Sequence, residues 1–231
     1  MDLRILGGGV AKGLVGRLTS AYRTDTGHEI VGEFGAVGGM RDRVAAGEAV
    51  DVVILTRALM EGLAEAGHLD ASSLVDLGQV VTGIAVPDRD ASVDVSTPEA
   101  LRAALTGADA IYISDPQKAT AGRHFMEMVG ALGIAEEIAD RLLTHASGHI
   151  GMAAMADGDD RQPIGCTQLP EIAGTKGVRY CGALPEPYAL VTTYTAALAT
   201  RSAEPAAGQA FLSLLMGPAG GETRKMAGFV A

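Results

Sequence analysis

Hydroxyl, cationic and glycine residues recur in this chain at one kind of place, just after a short apolar run and just before a helix-like stretch. Leu3-Arg4-Ile5-Leu6 runs into Gly7-Gly8-Gly9 and then Ala11-Lys12-Gly13-Leu14. Glu29 to Phe34 runs into Gly35-Ala36-Val37-Gly38-Gly39, and Val50 to Leu55 into Thr56-Arg57. Ala110-Ile111-Tyr112-Ile113 runs into Ser114, Thr120 and then Arg123-His124. In a parallel α/β sheet such junctions gather at the carboxyl ends of the strands, where helix-start N–H groups can hold a small anion. The chemistry this composition suits is capture of something small and negatively charged, or at least polar.

Each residue has a part in that chemistry. Gly8 and Gly9 at the first junction, with Gly38 and Gly39 at the second, let an anion approach backbone N–H groups closely. Lys12 stands in a first helical turn, where a cation opposes the macrodipole unless it faces a negative ligand. Thr56, Ser114 and Thr120 offer hydroxyls. Arg57 and Arg123 carry the planar fork that clamps a carboxylate with two parallel hydrogen bonds. Thr167 and Gln168 follow the strand-like Ile164-Gly165, and Tyr194 lies where the chain turns back. His124 has the ordinary pKa range for proton transfer, with Lys12 as a second candidate. The plainer readings are a solvated lysine, surface ion pairs and a helix-surface histidine.

Other chemistries find little support. Gly7-x-Gly9 is not followed by a dinucleotide fingerprint, and no acid closes the second strand as that motif requires. Nothing resembles a zinc ligand set, and Asp157-Gly158-Asp159-Asp160 lacks the length and closing Glu of a calcium loop. His145 and His149 are four apart, but Ser147-Gly148 interrupts the helix they would share. The expectation is no metal and no cofactor. A formal net charge of −10 argues against a nucleic-acid surface. No apolar run approaches the roughly 18 residues of a membrane helix. Cys166 reads as buried apolar filler; with Cys181 it leaves a disulfide or two free thiols equally open.

The elements that position these residues alternate strand and helix. The first stretch reads as strand 3–6, helix 11–26, strand 29–34, helix 38–47, strand 51–55 and helix 58–66, with Gly27 and Gly67 at helix C-caps. Two short apolar runs, 77–81 and 83–86, cross to a second lobe. There follow helix 98–106, opened by Ser96-Thr97-Pro98-Glu99, strand 110–113, and helices 123–131, 134–142 and 150–156. A strand from Ile164 enters a loop at 168, strand 178–181 follows, and the extended 190–199 returns the chain. Helices 205–216 and 219–226 close it. At 231 residues this makes an α/β protein of two lobes, 1–82 plus 192–231 against 83–191, joined by two crossings that permit closure over a ligand.

With these junctions in view, the chain resembles the type II periplasmic solute-binding proteins, within them the molybdate-binding-protein-like group. The likeness is carried by Gly7-Gly8-Gly9, Gly27-His28-Glu29-Ile30, Gly35-Ala36-Val37-Gly38 and Gly47-Glu48-Ala49-Val50-Asp51. Ser114-Asp115-Pro116, Gly165 to Ile172 and the ending from Ala210 to Gly217 extend it over essentially the whole chain. The resemblance implies a two-lobed binding fold without cofactor. Molybdate binders of that group offer serines and a tyrosine and no charged residue. Here Gly8 and Gly9 stand where the first serine would be, Gly38 or Gly39 near the second, and Arg57 and Arg123 add charge. That pattern looks more like a carboxylate site, and the group includes aconitate-isomerase-like members, which shift a double bond by moving a proton.

Three functions therefore stand open. The first is binding of a small carboxylate or oxyanion between the lobes; the second is cofactor-free isomerisation of an unsaturated di- or tricarboxylic acid; the third is ligand sensing. Met1-Asp2-Leu3-Arg4 leads straight into a strand, which reads as cytoplasmic as written and periplasmic if a signal peptide has been removed. An ABC permease would be a partner only for an exported protein. The expected oligomeric state is a monomer or weak dimer.

Overall fold

The computed structural model describes residues 2–230. Met1 and Ala231, both within the expected first lobe, lie outside the described residues. The chain forms two compact units, Met1–Val80 with Thr192–Ala231, and Val81–Val191.

The first unit opens with β1 (Asp2–Gly8), α1 (Ala11–Thr26), β2 (Glu29–Gly35), α2 (Val37–Ala45), β3 (Val52–Thr56) and α3 (Arg57–Glu65). β1 pairs in parallel with β2 and β3. All five residues of β3 are buried, as expected for an apolar run between two sheet neighbours. In α1, Ala11, Leu14, Val15, Leu18 and Tyr22 recur at helical spacing and are buried. Gly27 ends the helix at φ 74°, a left-handed conformation that suits a residue without Cβ, and its N–H donates to Arg23 O.

β4 (Val75–Pro87) is one long strand through which the chain passes into the second unit. That unit comprises α4 (Pro98–Gly107), β5 (Ala110–Ser114), α5 (Thr120–Ala131), β6 (Leu142–His145), α6 (Gly148–Asp157), β7 (Pro163–Gln168), α7 (Leu169–Ala173) and β8 (Val178–Ala183). β5 is parallel to β6 and β7, while β4 runs antiparallel to β7 and β8. β9 (Val191–Leu198) brings the chain back, antiparallel to β3, and α8 (Pro205–Met216) and α9 (Pro218–Met226) complete the first unit. Tyr22 of α1 packs edge-on against Phe211 of α8, and its hydroxyl donates to Ala207 O at 3.0 Å.

The expected α/β architecture of two lobes is present, with four local differences. The helix expected over 134–142 is absent. Gly133 adopts φ 70° and ends α5, and a turn of 3-10 helix at Ala139–Arg141 leads into β6. Ile134 and Ile138 are both buried, so their spacing imitates a helical face. The Arg141 guanidinium donates to Thr106 O, Ala108 O and Glu137 O, which holds this segment against the end of α4 rather than in a helix of its own. α5 starts at Thr120 instead of 123, because Gly122 allows the helix to approach the Ser114 and Asp115 carbonyls, where any Cβ would collide. The runs 77–81 and 83–86 are a single strand, and the loop expected after 168 is the short helix α7.

One buried carboxylate ties the two segments of the first unit together. Asp51 is 3% exposed; its Oδ2 accepts from Arg4 N at 2.9 Å, and its Oδ1 accepts from Ser202 Oγ, Ala203 N and Glu204 N at 2.7, 3.1 and 3.1 Å. Hydrogen bonds to a charged acceptor contribute more than neutral ones, and their loss here orphans buried donors. Asp51→Ala should destabilise the protein by about 2–4 kcal/mol in urea unfolding; a loss below roughly 0.5 kcal/mol would show that water replaces the carboxylate.

Candidate functional site

In the first unit the carboxyl ends of β1, β2 and β3 lie side by side, with Gly7 opposite both Phe34 and Ile54 and Gly8 opposite Gly35. Thr56 pairs with Tyr194 of β9. Three helices start at this end. The residues preceding α1, α2 and α3 are Val10, Ala36 and Thr56, and none gives its helix a side-chain cap among the described residues. A helix start leaves its first backbone N–H groups without intrahelical partners, so this end presents donors and the positive end of three macrodipoles. The start of α4 differs, because Thr97 Oγ1 there accepts from Ala100 N at 3.1 Å.

Gly8, Thr56 and Tyr194 are buried at this end, and a Cβ built on Gly8 would lie 2.8 Å from Val37 Cγ1 and 3.1 Å from Tyr194 Cε1. The tyrosine ring and Val37 thus take the room a serine side chain would need. Gly9 spends its N–H on Gly35 O at 2.9 Å, while Gly38 and Gly39 form the first turn of α2, where a Cβ on Gly39 would meet open space. Lys12 is exposed and makes no ion pair among the described residues. Arg57 forms surface ion pairs, one of the two readings the sequence left open. Its side chain is 54% exposed, its Nε donates to Glu61 Oε1 at 2.8 Å and its Nη1 pairs with Asp76, which also accepts from Thr195 Oγ1 at 2.7 Å.

In the second unit the carboxyl ends of β5, β6 and β7 adjoin. Ser114 pairs with His145, and Ile113 with Cys166, next to Thr167 and Gln168. Ser114 is 1% exposed, and its hydroxyl finds no hydrogen-bond partner among the described residues. Such a group ordinarily has a partner, so it marks a place where a ligand or water belongs. α5 starts here behind Ala119, again without a side-chain cap, with Thr120 half-buried and Arg123 exposed on its first turn. His124 is partly committed elsewhere, its Nε2 donating to Tyr188 O at 2.8 Å. Cys166 and Cys181 are both free thiols, and burial pushes the Cys166 thiol up to about 12, which removes it from acid–base work near neutrality. Among the described residues no group of three His, Cys, Asp or Glu could hold a metal ion.

Sequence reasoning missed Ser147, His149 and Glu171. Ser147 precedes α6, and its Oγ lies 3.0 Å from His149 Nδ1. Glu171, 7% exposed, reaches from α7 to the start of α6, where it accepts from the Thr167 hydroxyl and from the backbone N–H groups of His149, Gln168 and Gly148. A Cβ on Gly148 would collide with Thr167 Oγ1 and the Glu171 carboxylate, so only glycine allows this approach. The signal was present in the Ser-Gly pair at 147–148, but without β6 that pair read as a helix interruption rather than a strand-to-helix junction.

Burial raises the Glu171 carboxyl above the ordinary Glu range, and its four hydrogen-bonding neighbours at most moderate the rise. A carboxyl raised on folding contributes stability that is fully present below its unfolded value and is lost as pH climbs through its folded value. Glu171→Gln removes that titration. Its melting temperature should therefore gain on wild type as pH rises from 4.5 towards 8, whatever constant offset the lost charge introduces. Parallel pH profiles for the two proteins in scanning calorimetry would contradict the assignment.

The comparisons with known proteins agree with this layout. A family model for bacterial extracellular solute-binding protein matches residues 3–230. An aconitate isomerase from Pseudomonas sp is 25% identical over 221 residues, covering 92% of this chain and 81% of that protein. The periplasmic molybdate-binding protein of Azotobacter vinelandii superposes with a TM-score of 0.84 at 21% identity, covering 100% of this chain and 99% of that one. The sulfate-binding protein of Mycobacterium tuberculosis H37Rv gives 0.75 at 15% identity, covering 99% and 86%. At such identities the two structures speak for the fold alone, a type II periplasmic-binding-protein fold. With the family model spanning nearly its whole length, the chain belongs to the bacterial extracellular solute-binding proteins.

Proposed function

We propose that the protein binds a small carboxylate or oxyanion, a di- or tricarboxylate above all, through the groups gathered at its strand ends. The observation that carries this reading is the buried, unpartnered Ser114 hydroxyl beside the uncapped start of α5. Gly8, the first turn of α2 with Gly38 and Gly39, Thr56 and Tyr194 are the candidates at the strand ends of the first unit. Ser114, Thr120, Thr167 and Gln168 are the candidates at those of the second. Backbone N–H groups and hydroxyls recognise an anion without a net positive charge, which suits a chain of net charge −10.

Lys12, Arg57 and Arg123 supply the charge that turns the choice towards carboxylates. Exposed ion pairs contribute only about 0–1 kcal/mol. The pairs of Arg57 with Glu61 and Asp76 therefore offer little resistance to a guanidinium turning to a ligand carboxylate. Delivery to a membrane permease is the role this family's fold suits, and it requires an extracytoplasmic protein. The aconitate isomerase relative favours a second reading, in which the bound acid is unsaturated and the protein moves its double bond.

A thermal-shift screen of cis- and trans-aconitate, citrate, succinate, molybdate, sulfate and phosphate tests the ligand class. Carboxylates should raise the melting temperature, with or without EDTA; stabilisation by molybdate alone, or dependence on a divalent ion, would overturn the carboxylate reading. Ser114→Ala should leave the ligand-free protein as stable or slightly more so, because it removes a buried polar group without a partner. It should weaken the best ligand by about 1 kcal/mol in calorimetry. Unchanged affinity would remove Ser114 from the site.

A further inference from the structure

We propose that the second unit carries a further ligand site, apart from its strand-end groups, and that this site takes a free α-amino acid with an aliphatic side chain. A cavity of about 350 Å³ lies wholly within that unit, at the lower end of the roughly 300–1,000 Å³ usual for small-molecule sites. Val86 near the end of β4 and Ile164 near the start of β7 line it, both buried, with Ala104 and Ala108 from the end of α4. β4 and β7 run antiparallel, with Ala85 opposite Gly165 and Thr82 opposite Gln168. The cavity is therefore at one end of β7 and Thr167 and Gln168 are at the other.

Two opposite charges, Asp90 and Arg161, line this apolar cavity without pairing with each other. Asp90 Oδ2 is buried and has no hydrogen-bond partner among the described residues. The Arg161 guanidinium makes no ion pair among the described residues. Arg89 and Arg179, which border the same loop, are engaged on main-chain carbonyls instead. Arg179 donates to Asp88 O and Asp90 O, and Arg89 to Ala156 O and Asp160 O. The backbone under both charges is pinned. Asp90 N–H donates to Pro87 O at 3.0 Å, and the Asp109 carboxylate accepts from Arg161 N and Gln162 N at 3.2 and 3.0 Å.

The ligand class follows from what each group lacks. A buried carboxylate oxygen without a donor is costly, so it marks a place where a donor belongs, and an ammonium group supplies one with the opposite charge. The planar fork of Arg161, exposed at the cavity, matches a carboxylate. The remaining lining of Val86, Ala104, Ala108 and Ile164 offers only apolar contact and favours an aliphatic body. Ammonium, carboxylate and aliphatic chain occur together in an amino acid such as leucine. A polycarboxylate brings no donor for Asp90 and meets a like charge there, so the site is independent of the anion reading.

The test is titration calorimetry of the full chain with L-leucine, with isocaproate, which lacks the ammonium group, and with isopentylamine, which lacks the carboxylate. Leucine should bind, and each of the other two at least about tenfold more weakly. Asp90→Asn should lower leucine affinity about tenfold or more while leaving the ligand-free protein as stable as wild type in thermal melts. Ala104→Leu, which fills the cavity from α4 with a good helix former, should abolish leucine binding, and Ser114→Ala should leave it unchanged. No heat with leucine, or unchanged affinity in both Asp90→Asn and Ala104→Leu, would overturn the site. Isopentylamine binding as tightly as leucine would overturn the amino-acid assignment. Loss of leucine binding in Ser114→Ala alone would move the amino acid to the strand ends and overturn it too. The anion reading stands or falls separately, on the carboxylate screen.

Discussion

The structure depends on helix starts that their own side chains do not satisfy. Val10, Ala36 and Ala119 have no group with which to cap α1, α2 and α5, and Thr56 does not use its hydroxyl on α3. Because every strand-to-helix junction of a parallel segment falls at the same end of its sheet, these donors are concentrated rather than scattered. An acidic protein thereby gathers backbone donors at one end of its strands. The arrangement also explains the small residues around the donors, since a larger side chain at Gly8 or Gly122 would meet Tyr194, Val37 or the end of β5.

α6 shows the same constraint met from within. Its first N–H groups go to Glu171, a carboxylate of the protein itself, and burial rather than a cation determines how that carboxylate titrates. The two units therefore carry different resources at their strand ends. The first has three open helix starts and exposed cations, whereas the second has one open start, an unpartnered hydroxyl and a histidine held in place.

Much of the fold was legible because apolar runs, glycine caps and cap residues coincide. Leu3 to Leu6, Val52 to Leu55 and Ala110 to Ile113 could be strands on pattern alone, and Thr97-Pro98 announced α4. Reading failed where tertiary contacts override pattern. The buried Ile134 and Ile138 copy a helix face, and only Arg141 reaching three carbonyls reveals the turn that leads into β6. That single miss hid the junction with Ser147 and His149. The ion pair of Arg57 could not be assigned for a similar reason, since Asp76, itself held by Thr195, reaches it from an element farther along the sequence. That Gly8, Thr56, Ser114 and Gln168 end strands was legible because a junction in the sequence is a place in the fold.

The Asp51 clasp bears on how the molecule comes into being. Its partners Ser202, Ala203 and Glu204 are made some 150 residues after it, and β9 must arrive before β3 has its second neighbour. Residues 81–191 are contiguous and can complete their own core as soon as they leave the ribosome, whereas the first 80 must wait for the last 40. The nascent chain therefore carries an unfinished amino-terminal segment until translation is nearly over. For a polypeptide that has to be threaded across a membrane, such late closure keeps the leading segment loose for as long as the crossing requires.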